Sequence, residues 1–247
     1  MKRIIFIFPL LICLCFTSMA DWKIVQIVRS HEDGEYEMVI YIQKNKIRTQ
    51  AQNFDVIFDL DQNYMIYINH DGKKYWEGSK DSFKQEMEAF MEKSMKEMMG
   101  EEGYEEYKKT IDNIGDLEGE IVKIEIVVDG AIEELAGFKG KKFNVFENGQ
   151  LVEELWLCME IQLMDEMDFT LLDQFFGQER EFDYSQSEEY NNMLKENGFP
   201  IKDISYSYGE LMEETVLKEA IELDLPASTF TAPKDYQKVG IMEVMNK

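Results

Sequence analysis

Residues 35–77 constrain the fold most, because strand-like runs follow one another there at hairpin spacing. In the first run Tyr36, Met38, Ile40 and Ile42 alternate with Glu35, Glu37, Val39 and Tyr41. Successive strand side chains point to opposite faces, so this pattern gives one apolar face and one mixed face. The run 54–60 repeats the device, with Phe54, Val56, Phe58 and Leu60 on one side and Asp55 and Asp59 on the other. Lys44-Asn45, Asp61-Gln62-Asn63 and Asp71-Gly72 supply turns, and Asp-Gly is a strong hairpin signal. With residues 22–30 in front, the spacing predicts a six-stranded antiparallel meander.

The texture changes at Gly78. Phe83, Met87, Phe90, Met91, Met95 and Met98 recur at helical spacing, Ser79 or Asp81 is placed to cap, and Gly100 with Gly103 punctuates the end. A second helix is predicted over 104–113. Strand patterns resume at 120–128, 141–147 and 150–161, the last two joined by Asn148-Gly149. Helical intervals at 165–176 and 187–197 follow, the second closed by Gly198 and Pro200, and then strands at 201–208 and 210–224. Strands and helices do not alternate regularly as βαβ units would. The expected fold class is therefore α+β: a curved antiparallel sheet with helices covering its concave face, one domain spanning 21–247.

Residues 1–20 read as a cleaved secretory signal: Lys2 and Arg3, an apolar run over 4–16, then Ser18-Met19-Ala20. That run is shorter than the roughly 18–20 residues a membrane-spanning helix needs, so no transmembrane segment is expected in the mature chain. Loss of Lys2 and Arg3 takes the formal charge from −24 to −26. Such a field repels nucleic-acid phosphates and anionic membrane surfaces and suits a basic partner. Cys13 and Cys15 leave with the leader, so Cys158 has no intrachain disulfide partner; its apolar setting predicts a buried, inert thiol.

Chemistry-bearing motifs are thin. Asp59-Leu60-Asp61-Gln62-Asn63 begins like a calcium loop, but Tyr64 occupies the glycine position and His70 the closing-glutamate position, which predicts a polar hairpin turn instead. His31 and His70 lack a second histidine at metal-ligand spacing and read as exposed turn residues. Adjacent acids such as Glu101-Glu102 and Glu213-Glu214 are expected by chance among 50 acidic residues. There is no phosphate-binding glycine loop, no nucleophile elbow and no base for the cysteine, so neither an enzyme nor a cofactor is expected. The Met/Phe stripe reads first as core packed on the sheet. Two sharper readings are an adaptable lining for acyl chains and, more weakly supported, copper ligation by methionine.

One set of residues carries a resemblance: Lys46-Ile47-Arg48, 55–61, 64–75, Gly140-Lys141-Lys142-Phe143 before Asn148-Gly149, the run ending in Trp156, and 225–230 before Pro233 and Tyr236. Together they resemble a family of uncharacterised exported bacterial proteins related in fold to the lipoprotein carriers LolA and LppX. The resemblance implies an unclosed half-barrel in the bacterial envelope, most simply the periplasm, that holds a lipid acyl chain in its concavity. It supplies no catalytic residues. The lining expected for such a ligand is Met38, Ile40, Phe58, Ile126, Trp156 and Tyr206, with Met87, Phe90 and Met91 from the helical cover. The other expectation is a structural or interaction protein with a solid core and an acidic surface that docks a basic envelope protein.

Overall fold

The computed structural model describes residues 21–115, 123–161 and 187–245, together with 163, 166–168, 171, 175 and 184. The expected leader at 1–20 and most of the expected helix at 165–176 lie outside the described residues. Twelve strands form one open sheet. They are β1 (Asp21–Ser30), β2 (Gly34–Gln43), β3 (Lys46–Ala51), β4 (Phe54–Asp59), β5 (Tyr64–Asn69), β6 (Lys74–Ser79), β7 (Ile124–Leu135), β8 (Phe138–Glu147), β9 (Gln150–Cys158), β10 (Phe199–Ser207), β11 (Glu210–Leu223) and β12 (Gln237–Lys238). The spatial order is β12-β6-β5-β4-β3-β2-β1-β11-β10-β9-β8-β7, antiparallel throughout except for the short parallel pair β6–β12. Two meanders, β1–β6 and β7–β11, thus join through β1 and β11.

The hairpins obey their turn chemistry. Asn148 and Gly149 both take positive φ (50° and 82°), as a two-residue type I′ turn demands, and Lys44-Asn45 does the same. Helix α1 (Lys80–Gly115) starts where Ser79 Oγ accepts the Ser82 N–H at 3.1 Å. The two helices expected at 79–99 and 104–113 are both present within α1 and meet at a kink at Gly100, whose φ of 76° is not helical. Helix α2 (Glu188–Asn197) is capped by Ser187, and α3 (Ile241–Met245) ends the described chain. At Gly198 (φ 91°) a Cβ would stand 2.1 Å from the Cys158 carbonyl oxygen, so only glycine fits between α2 and β10.

Cross-strand partners share a face, which places Ile42, Ile47, Phe58 and Met65 together on one side of the first meander. That side packs in two clusters, Trp22, Ile24, Ile42 and Leu217 with Trp156 and Ile201, and Leu60, Met65 and Trp76 with Phe175, Ile241 and Val244. Phe143, Val145, Leu155 and Leu157 form a third cluster under Tyr190 and Met193 of α2.

The opposite side of the first meander, expected to be mixed, is also buried: Ile57, Ile66 and Ile68 lie beneath Phe230 of the C-terminal segment. Asp55, on this side, is only 2% exposed. The sequence pattern is not misread there; the covering chain lies about 170 residues downstream and could not be anticipated from strand periodicity.

Candidate functional site

The C-terminal segment wraps the first meander as a strap. Asp21 Oδ2 accepts the Leu225 N–H at 2.7 Å, and Arg48 Nη1 donates to the Thr229 carbonyl at 2.7 Å. Asp55 gathers Arg48, Gln50 (3.0 Å) and His70 (2.9 Å), and the other ring nitrogen of His70 meets the Tyr236 hydroxyl at 2.8 Å. Burial by itself would raise the Asp55 carboxyl. The hydrogen bonds from Gln50, His70 and Arg48, with the Arg48 charge, outweigh it and hold the group below the usual carboxylate range. His70, expected as an exposed turn residue, is therefore half-buried and engaged, because Tyr236 covers it; His31 is exposed as expected.

After Tyr236 the chain rounds the β6 edge, where the Gln237 and Val239 N–H groups donate to the Lys73 and Tyr75 carbonyls at 2.9 Å. It then enters the other face as α3. There Glu86 of α1 accepts from Trp76 Nε1 at 3.1 Å and from the Ile241 N–H at 3.2 Å, tying α1, β6 and α3 together. Beside this knot lies a groove of about 580 Å³ between α1 and α3. Ala89, Phe90, Ile241 and Met242 give it apolar wall, and Glu86, Lys93, Ser94 and Glu97 give it polar wall.

The Met/Phe stripe divides at this groove. Phe83 and Met87 pack into the core cluster with Trp76, and the Trp76 and Phe83 rings meet edge-on at 5.5 Å. Beyond Phe90 the stripe leaves the sheet: Met91 is 50% exposed and Met98 76%. The expectation that the whole stripe is core holds only for its first two turns. At 1.5 Å per residue, even the part of α1 before Gly100 is about 30 Å long and outruns the sheet edge it docks on.

The nine expected lining residues do not converge on one hollow. Ile40 and Trp156 belong to the first cluster, Phe58 and Met87 to the second, and Ile126 to the third. Ile126 pairs with Val145, and Trp156 with Lys142, so Ile126 and Trp156 face opposite sides of the sheet. Met38 pairs with Gln26 and Ala51, half-buried on β2. Phe90 alone lines the groove, with Met91 one residue further along α1.

Trp156 carries a feature that alternation could not reveal. Lys142 Nζ and Lys202 Nζ stand 5.0 and 4.7 Å from its ring centroid. Lys142 pairs with Glu154, Lys202 with Glu133 at 3.2 Å, and the Tyr206 hydroxyl donates to Glu154 at 2.6 Å. Burial would raise Glu154, but the bonds from Lys142 and Tyr206 hold it below its ordinary value; burial and Glu154 push Tyr206 up to about 12. Tyr206 is thus a polar partner in a closed network. Gly140 beside it has no room for a side chain, since a Cβ would meet Ile201 at 2.8 Å.

On the other side of these strands Glu153 accepts from the Tyr190 hydroxyl at 3.1 Å and hydrogen-bonds Asp203. Burial pushes the Asp203 carboxyl up to about 6, and Glu213 adds to this while the bond from Glu153 opposes it. Cys158 is free and buried, as expected for an inert thiol. The turn at Asp59 closes through its own Oδ1, which accepts the Gln62 N–H at 3.2 Å. Among the described residues no group of three or more His, Cys, Asp or Glu is arranged to hold a metal ion, and no helix is long and apolar enough to cross a membrane.

Among solved structures, PNGF-II is similar over 91% of this chain and 32% of its own, at 8% identity and a TM-score of 0.37. MucB in complex with MucA(peri) is similar over 90% of this chain and 57% of its own, at 10% identity and a TM-score of 0.41. The MucA/MucB complex of Pseudomonas aeruginosa gives 9% identity, 90% and 58% coverage and a TM-score of 0.41. This chain spans between about a third and three-fifths of those chains. No curated protein matches it. The family model of the domain of unknown function DUF4412 matches residues 112–236, just over half of the sequence, from the end of α1 through the strap to Tyr236, and the chain belongs to that family.

Proposed function

We propose that this is an exported, non-catalytic binding protein of the bacterial envelope that takes a lipid acyl chain, or a ligand of similar apolar shape, between α1 and α3. One observation carries the reading: a groove of about 580 Å³, within the range of small-molecule sites, opens where the Met/Phe stripe leaves the packed core. Phe83 and Met87 anchor the helix, while Phe90 and Met242 line the groove, Met242 offering an unbranched, polarisable contact that adapts to a flexible chain. Export is read from the leader pattern at 1–20.

Mass spectrometry of organic extracts from gently purified protein tests it, together with titration of a fluorescent fatty acid. A co-purifying lipid is expected, with probe binding lost in Phe90→Glu and kept in Ile132→Glu, which lies on an exposed strand. A clean apoprotein that ignores the probe overturns the proposal, as does unchanged binding by Phe90→Glu. A second reading, an interaction protein with a solid core, is favoured by the dispersal of the expected lining residues into three packed clusters. It predicts a silent fatty-acid titration.

A further inference from the structure

The two ends of the sheet are treated differently by the chain itself. The β6 edge is sealed by β12, which donates backbone N–H groups to Lys73 and Tyr75. At the far end β7 pairs with β8 on one side, and among the described residues no strand pairs with its other side. An open strand edge is a row of unused backbone donors and acceptors, and proteins blunt such edges with lysine, proline or brevity, or with other charges, bulges or cover; β7 relies on acidic side chains and one bulge, which deter a second copy of itself more than a basic strand. β7 has none of the first three: it runs for 12 residues, Ile124–Leu135, without lysine or proline. One bulge between Val128 and Ile132 interrupts it, and Val128 (52%) and Ile132 (71%) expose apolar side chains beside it.

Charge selects the occupant. β7 carries Glu125, Asp129, Glu133 and Glu134 and no basic residue, in a chain of net charge −24. Lys142 lies 3.7 Å from Asp129, Lys202 3.2 Å from Glu133 and Lys123 4.0 Å from Glu125, but Lys142 and Lys202 are shared with Glu154 and Glu214, so the edge stays acidic. Two copies of this edge laid side by side would set acid against acid, a destabilising cross-strand arrangement. On β7 Glu125 and Glu133 share one face and Val128 and Ile132 the other, so a segment alternating lysine or arginine with apolar residues would set its cations beside the first pair and its apolar side chains beside the second.

We propose that β7 is a docking edge for an extended basic segment of another protein, which adds a strand to the sheet there. In such pairing the main chain supplies affinity and alternate side chains supply choice. The site is separate from the groove at α1 and α3, so either proposal can fail alone.

The probe is a fluorescent, strand-length peptide of alternating lysine and valine, titrated into the leaderless chain by anisotropy and followed by hydrogen exchange over 124–135. Binding is expected to protect the β7 amides and to weaken as salt is raised. N-methylation of alternate peptide amides, which removes the main-chain donors on one edge, should weaken it by about tenfold or more if hydrogen bonding is the source of affinity. A glutamate–valine peptide should not bind, and Glu125→Lys, at an exposed position of the open strand, should weaken binding of the lysine peptide. Undiminished binding of the N-methylated peptide overturns the proposal, as does protection at α1 instead of β7. Concentration-dependent pairing of the protein with itself through 124–135 overturns it in favour of a second copy.

Discussion

The first meander and the second are built from the same alternating strands yet end differently. In β1–β6 both faces and the outer edge are clad by the protein's own C-terminal chain, first as the strap over Ile57, Ile66 and Ile68, then as β12, then as α3. In β7–β10 one face lies under α2, the other closes on the Lys142–Trp156–Lys202 stack, and no strand among the described residues pairs with the outer edge. Sheet chemistry is thus spent on self-sealing at one end and left available at the other. The polar interiors differ in the same sense: Asp55 is matched by the Arg48 cation and by hydrogen-bond donors, whereas Glu153 and Asp203 set two acids against each other.

The largest test strikes the second meander at its least forgiving point. Gly198→Val would drive a side chain into the Cys158 carbonyl at a positive φ, and a loss of about 4 kcal/mol or more is expected in urea unfolding. Next, Ile68→Ala should cost about 2–5 kcal/mol, because the fully buried side chain sits beneath the strap and leaves a cavity. A loss below about 1 kcal/mol would show that the strap packs loosely, and the contrast between the halves would fail.

The acids should respond to pH in opposite directions. Asp55 is held below its unfolded value, so its contribution is present above about pH 4 and lost as pH falls through the folded value. Asp55→Asn should cost on the order of 3 kcal/mol at pH 7, a deficit that narrows in strong acid. Asp203 is raised to about 6, so its favourable contribution is complete below about pH 4 and lost as pH rises through 6. Asp203→Asn should therefore gain on the order of 1–2 kcal/mol at pH 8, shrinking toward pH 5, in chemical denaturation at each pH. A constant difference between pH 5 and 8 would remove Asp203 as the titrating group. The smallest effect is expected on the open edge, where Ile132→Ala should shift stability by no more than about 0.5 kcal/mol.

Much of this was legible in the residues. Alternation at 35–43 and 54–60, with turn pairs such as Asn148-Gly149, gave strand positions that the sheet reproduces nearly residue for residue. Ser79, one of two candidate caps, marked the start of α1, and Gly198 the end of α2, each for a local reason. The lining was less legible. Period-2 patterning tells which side chains share a face within one strand, but not how a face is covered, so Ile126 and Trp156 appeared alike and lie on opposite sides. His70 looked like a turn residue because Tyr236, 166 positions away, is what engages it.

The sequence by itself determined most of the strands, the hairpin turns, the start of α1 and the acidic balance, since each follows from side-chain periodicity, backbone sterics or charge within a few neighbouring residues; β12 and the second half of β7 were not among them. Only the tertiary structure decided where the C-terminal chain runs, and with it which face is buried twice, which edge is sealed and where a groove remains. Those outcomes depend on contacts between segments far apart in the chain, and local pattern carries no record of which distant segment will meet which surface.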